Sequence, residues 1–378
     1  MPLQSFGRAP DYRTCPTTPT HSPRSAGQFG VWSAKLGQHM TNTDILGGLG
    51  WSALFSEQLE LDEIGTAMPL RITEVHRSQL IAAGVDGPHE VLVKDSTGDY
   101  AVGDWILLDA DGKLLRRLDR TTFLARRAAG EAVSLQAIAA NVDTLFITTS
   151  CNADYNPARL ERYLALAGEA EVATLVLLTK ADMVQDPAAW EARARELGRD
   201  LNIMAIDARD PGLVETLRPW CKPGQTVALL GSSGVGKSTL LNTLTGQDQL
   251  TAPIREDDAR GRHTTTSRAM FTMAAGGCLI DTPGMRALRL AEAGAGIDAT
   301  FPEITELLGQ CKFRDCAHGA EPGCAIQSAI AAGTLSPERL KRWRKLKEED
   351  GQNTETIAEA RARLRKQGKM YRAHAKPK

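Results

Sequence analysis

The chain has 378 residues, 42% hydrophobic and 24% charged, and its 45 Lys+Arg against 46 Asp+Glu leave a formal net charge of −1, which neither favours nor excludes a nucleic-acid partner. That length suggests roughly two or three domains of ordinary globular composition. The cysteines at 15, 151, 221, 278, 311, 316 and 324 are too sparse for a disulfide framework and point to a reducing cytoplasm; no run reaches the roughly 18 apolar residues of a membrane span, and no signal-peptide core is expected.

Residues 1–39 are rich in Pro, Ser, Thr and Gly, too polar to offset the entropy of ordering. They read either as a disordered extension or as a mis-called start, since Met40 opens a more regular stretch. Residues 40–69 form a lead-in. Over 70–128, short β-like runs (Arg71–Val75, Gln79–Ile81, Glu90–Lys94, Trp105–Leu108) alternate with the turn signals Asp86-Gly87-Pro88, Ser96-Thr97-Gly98-Asp99 and Asp109-Ala110-Asp111-Gly112. Such spacing predicts a small antiparallel barrel of OB type. Arg116, Arg117, Arg126 and Arg127 cluster at its end, as a solvated rim or an RNA contact.

Over 129–300 the pattern becomes strand, helix, strand. Thr144–Thr149, Leu175–Leu178 and Asn202–Ile206 read as buried strands, and Pro157–Ala170 and Pro187–Leu197 as helices. The expectation is a doubly wound parallel sheet with ligands at the carboxyl ends of its strands. The apolar run Val227–Leu230 then leads into Gly231-Ser232-Ser233-Gly234-Val235-Gly236-Lys237-Ser238-Thr239 and a helical continuation. Strand, G-x-x-x-x-G-K-S, helix is the context of a phosphate-binding loop. Glycines let successive N–H groups face a phosphate, and the helix offers its positive end. Lys237 would reach the β- and γ-phosphates, and Ser238 would ligate Mg²⁺.

Thr179-Lys180-Ala181-Asp182 directly follows a strand. A carboxylate there would accept from guanine N1–H and the exocyclic amine, which adenine lacks in that position, so a buried Asp182 would select GTP over ATP. The polar segment Arg260–Thr266 is expected to act as a switch, with a threonine closing onto Mg²⁺. Asp281-Thr282-Pro283-Gly284 ends the next strand; Asp281 suits the Mg²⁺ shell and the Gly284 N–H suits the γ-phosphate.

In 301–350, Cys311-x4-Cys316-x-His318-x5-Cys324 offers three thiolates and an imidazole, the donor set of one closed structural Zn²⁺ site. Ser336-Pro337-Glu338 caps a following helix. Residues 351–378 form a basic tail, with eight Lys/Arg and no acid from Arg361 onward.

T-K-x-D precedes the phosphate loop here, whereas ordinary GTPases carry it last. A circularly permuted GTPase domain behind an OB-like barrel and before a Cys-Cys-His-Cys module resembles the RsgA (YjeQ/EngC) family of small-subunit biogenesis GTPases. Val102-Gly103-Asp104-Trp105, Ala140-Asn141-Val142-Asp143, Leu160-Glu161-Arg162-Tyr163-Leu164 and Gly261–Thr266 share in the likeness. The resemblance implies slow GTP hydrolysis to GDP and phosphate, stimulated by the small ribosomal subunit late in its maturation, with barrel and zinc module gripping rRNA. A cytoplasmic monomer with no membrane partner is expected. Thr179 stands where the family usually has Asn, and a hydroxyl lacks the amide's reach. Met285 occupies the place of a water-orienting Gln, so His263 is assigned to position water and Thr265 to ligate Mg²⁺, both with Lys237 as catalytic residues. The alternative is a P-loop ATPase or kinase acting on a small molecule, which leaves Asp182 unexplained.

Overall fold

The computed structural model describes residues 41–94, 96–127, 135–246, 268–282, 290, 292–319 and 321–374, excluding the side chains of 127, 135, 355–358 and 360–374. The described chain begins with a capping box: Thr41 accepts from the Asp44 N–H while Asp44 takes the Thr41 N–H, satisfying two orphan donors of α1 (Asn42–Gly48). After α2 (Ala53–Ser56), five antiparallel strands follow: β1 (Met68–Val75), β2 (Gln79–Gly84), β3 (Gly87–Leu92), β4 (Trp105–Leu108) and β5 (Leu114–Arg117), in the order β3-β2-β1-β4-β5. Leu70, Ile72, Leu80, Ala82, Val91, Ile106 and Leu108 form their common core. Trp51 and Phe55 of the lead-in cover Trp105, at ring distances of 4.9 and 5.9 Å. Among the described residues β3 and β5 do not pair, so the strand order is compatible with an OB barrel but the sheet is not closed.

β6 (Phe123–Arg127) pairs with β7 (Leu135–Ala140) as a hairpin. This pairing crosses the boundary that the sequence places between 128 and 129. Arg116, read as part of a basic rim, is committed to an ion pair with Glu63 at 2.7 Å.

The larger layer contains five parallel strands in the order β10-β9-β8-β11-β13. They are β8 (Thr144–Ser150), β9 (Ala173–Thr179), β10 (Asn202–Ala205), β11 (Thr226–Gly231) and β13 (Cys278–Asp281). Between β11 and β13 in sequence, β12 (Ala269–Thr272) runs antiparallel to β13 and meets β1 at Glu74↔Ala269, joining both sets of strands into one sheet. Two-residue periodicity sorts the side chains. Phe146, Leu175, Leu177, Val227 and Leu229 face one core; Leu145, Ile147, Val176, Leu178, Ala228 and Leu230 face the other. Crossover segments supply α3 (Pro157–Glu169), α4 (Pro187–Arg195), α5 (Leu213–Thr216), α6 (Arg218–Cys221) and α7 (Lys237–Thr245). Leu240, Leu241 and Leu244 of α7 fill the first core, and Leu160, Leu164 and Ala167 of α3 the second.

The chain closes with α8 (Gly294–Thr300), α9 (Pro302–Leu308), α10 (Ala325–Ala331) and α11 (Pro337–His374). The basic residues from Arg361 onward therefore continue a 38-residue helix as far as His374. No helix among the described residues is long and apolar enough to cross a membrane.

Candidate functional site

The phosphate-loop sequence lies between β11 and α7, at the carboxyl edge of the parallel sheet. Gly231 is required by a close approach: a Cβ there would stand 2.3 Å from the Thr148 carbonyl oxygen of the neighbouring strand. Gly236 caps α7 with φ +93°, a left-handed conformation that other residues adopt only under strain. Lys237 Nζ donates to the carbonyls of Gly231 at 2.8 Å and Ser232 at 2.7 Å, so its ammonium lies along the loop. Val235 is buried beneath the loop, while Ser233, Gly234 and Ser238 are exposed and Ser232 and Thr239 are half-buried.

Thr179, at the end of β9, is fully buried, and its Oγ1 lies 2.6 Å from the Val235 carbonyl and 3.0 Å from that of Thr149. A hydroxyl short of the expected amide thus still ties T-K-x-D to the phosphate loop. Lys180 follows in the left-handed region at φ 60°, turning the chain into the short 3-10 segment Ala181–Met183. Asp182 differs from expectation. No residue of that segment is buried, and the carboxylate is exposed and paired with Arg209 at 2.6 Å. The segment lies past the carboxyl end of β9, beside the extension of β10.

Asp281 ends β13 opposite Leu229 of β11, which brings it to the phosphate-loop side of the sheet. Burial pushes its carboxyl above the usual carboxylate range, against the Lys237 charge and the Thr282 backbone N–H, which favour the ionised form. The Thr282 hydroxyl donates to the Leu229 carbonyl and ties the residue after β13 to β11. His263, Thr264, Thr265, Thr266, Gly284 and Met285 lie outside the described residues.

Two arginines that pattern reading did not select lie at this carboxyl edge of the sheet. Arg159, in the first turn of α3, donates from Nη1 to Ser232 Oγ at 2.9 Å. Asn156-Pro157 caps α3 and could have signalled this, since α3 begins just after β8, the neighbour of β11. Arg209 follows β10 in Asp207-Ala208-Arg209-Asp210, a charge cluster immediately after a parallel strand.

The second cluster lies before and at the start of α10. Ligand atoms of Cys311, Cys316, His318 and Cys324 all fall within 4.8 Å of one another. Cys311 Sγ is 3.4 Å from His318 Nδ1 and 3.9 Å from Cys324 Sγ, and Cys324 Sγ is 3.8 Å from Nδ1. These spacings suit the edges of a tetrahedron around a metal with bonds of about 2.0–2.3 Å. Gln327 and Arg344 both donate to the His318 carbonyl, at 2.7 and 2.6 Å, holding a residue that has φ 59°. Trp343 meets the imidazole edge-on at 6.4 Å.

A family model described as RsgA GTPase matches residues 117–291. The small ribosomal subunit biogenesis GTPase RsgA of Mesorhizobium japonicum is 54% identical over 316 residues, covering 82% of this chain and 91% of that protein. Among solved structures, YjeQ from Thermotoga maritima matches with a TM-score of 0.53 at 21% identity, over 74% of this chain and 97% of that one. YloQ, a circularly permuted GTPase, matches with a TM-score of 0.52 at 21% identity, over 77% and 99%. Both carry the expectation of a permuted α/β fold.

Proposed function

The chain belongs to the RsgA GTPase family, and we propose that it hydrolyses GTP while bound to the small ribosomal subunit, acting late in the maturation of that subunit with nucleotide state controlling attachment and release. The observation that carries the nucleotide assignment is the Thr179–Val235 contact, which brings a T-K-x-D segment against a phosphate loop. In this reading Gly231, Ser232, Ser233, Gly234, Val235, Gly236, Lys237, Ser238 and Thr239 cradle the phosphates. Thr179, Lys180, Ala181 and Asp182 take the guanine.

The chemistry follows from these positions. Loop N–H groups and the α7 terminus meet anionic oxygens. Lys237, already aligned along the loop, exchanges its two carbonyl contacts for β- and γ-phosphate oxygens. Charge on those oxygens grows as the terminal P–O bond breaks, so a fixed cation there lowers the barrier. Ser238 and Thr265 would hold Mg²⁺, with Asp281 in its surroundings and the Gly284 N–H on the γ-phosphate. When bound, that ion neutralises the bridging phosphate charge. His263 would orient the attacking water, a task beyond the apolar Met285.

The Cys311, Cys316, His318 and Cys324 donors fit one closed Zn²⁺ site without an open catalytic position. We assign the β1–β5 unit to an OB-type barrel and, with the zinc module, to rRNA contact. The protein would act as a cytoplasmic monomer, divided into a barrel (70–128), a permuted GTPase domain (129–300) and a zinc module (301–350). Equilibrium binding of GDP and ADP tests the site. GDP preference in the wild type, lost in Asp182→Ala, is expected. ADP bound as well as GDP would overturn the guanine assignment.

A further inference from the structure

We propose that Arg209 is a positioning residue for base recognition, bridging Asp182 and Asp207 so that the Asp182 carboxylate stays aimed at guanine. The inference rests on the reading above that Asp182 accepts from the base.

The topology creates the need for a bridge. β9 and β10 are parallel neighbours with Leu178 opposite Ala205, and the pairing continues through Ile206 N–H to Leu178 O at 2.9 Å and Ala181 N–H to Ile206 O at 3.2 Å. The two segments therefore leave the sheet side by side, and each carries an Asp at the next position, Asp182 after Ala181 and Asp207 after Ile206. Arg209 spans them. Its Nε lies 3.0 Å from Asp207 Oδ1, and its Nη2 lies 3.1 Å from Asp207 Oδ2 and 2.6 Å from Asp182 Oδ2.

The bridge is itself anchored. Asp207 Oδ1 accepts the Arg209 backbone N–H at 3.0 Å, and the Ala208 carbonyl accepts the Thr243 hydroxyl of α7 at 2.7 Å. That second bond fixes the Arg209 loop to the helix that starts at the phosphate loop. Two carboxylates sharing a site without a cation repel, and one of them turns away. A turned Asp182 no longer faces guanine N1–H. A carboxylate has about four lone-pair sites, so Asp182 serves Arg209 through one oxygen and guanine through the rest. Consistent with the bridge, Arg209 holds the Asp207 carboxyl below its ordinary range.

The test is equilibrium binding of fluorescent GDP and ADP to the full chain and to Arg209→Ala, Asp207→Asn, Arg209→Ala/Asp207→Asn and Asp182→Ala proteins, with thermal melts alongside. Arg209 is exposed, so its removal should leave melting unchanged. The expected result is that Arg209→Ala weakens GDP by about tenfold and narrows the GDP-to-ADP ratio. The double variant, free of the second carboxylate, should recover most of that loss, which a merely structural role would not produce. GDP binding by Arg209→Ala equal to or tighter than wild type would overturn the proposal, since Arg209 would then only obstruct Asp182. A double variant no better than Arg209→Ala would also overturn it. Undiminished GDP preference in Asp182→Ala would instead remove the guanine assignment on which the proposal stands.

Discussion

Glu161 of α3 and Arg339 of α11 meet at 2.7 Å, with the Glu161 side chain wholly enclosed and that of Arg339 6% exposed. Arg342 donates to the same carboxylate at 2.8 Å, while Arg339 also reaches Glu303 and the Thr300 carbonyl, each at 2.7 Å. Arg162 pairs with Glu349 one position further along α3. The same helix presents Arg159 to Ser232 of the phosphate loop. A single turn of α3 thus touches Ser232 of the glycine-rich loop on one side and the C-terminal helices on the other.

Removing Glu161 takes from the buried Arg339 guanidinium one of its two carboxylate partners and breaks the Arg342 pair as well. Glu161→Ala should therefore lower unfolding free energy by about 3–5 kcal/mol, read by urea denaturation. An exposed control, Arg199→Ala, whose pair with Glu306 is largely solvated, should change it by less than about 1 kcal/mol.

Lys237→Ala should reduce GTP turnover by about a hundredfold or more, the scale for losing one fixed transition-state partner. Its melting temperature should change little beside that loss, because the Lys237 bonds to the Gly231 and Ser232 carbonyls lie within one short loop segment. Steady-state phosphate release and a thermal melt check both halves.

Asp281 links the site to pH. Its folded-state pKa is raised above the ordinary 3.8, so between 3.8 and the folded value the folded chain holds a proton that the unfolded chain has lost. Stability contributed by this group is complete below 3.8 and declines as pH rises through the folded value. Asp281→Asn, measured without nucleotide or Mg²⁺, should be more stable than wild type at neutral pH and lack that part of the pH slope. The same variant should lose Mg²⁺-dependent hydrolysis.

Metal analysis should find one zinc ion per chain, lost in Cys324→Ser. Cys324 is buried, its Sγ lies within 4 Å of Cys311 Sγ and His318 Nδ1, and it caps α10. Chelation should loosen α10, read as faster amide exchange over Ala325–Ala331, while GDP binding persists.

Much of this was legible because local chemistry dictates it. Val227–Leu230 followed by a glycine loop and a helix admits few other structures, and the spacing of Cys311, Cys316, His318 and Cys324 brings the donors together within one short segment. The exposure of Asp182 was not legible, because it depends on Ala181–Met183 lying beyond the edge of the sheet. Arg159 and Arg209 escaped for a related reason. Each acts at a loop 27 or more residues away in sequence, and only the strand order β10-β9-β8-β11 makes those loops neighbours. The β6–β7 hairpin was hidden because a strand ending in Ala-Ala reads as the lead into β8. The length of α11 was obscured by its charge, which resembles a solvated tail when burial is unknown.

The most direct test is turnover of GTP and ATP, each with and without purified small ribosomal subunits. Slow GTP hydrolysis that rises strongly with small subunits, beside little ATP hydrolysis in either condition, is the predicted result. ATP turnover that is indifferent to the subunits would contradict both the guanine role of Asp182 and the ribosomal role, leaving only the phosphate loop of Gly231–Ser238 in place.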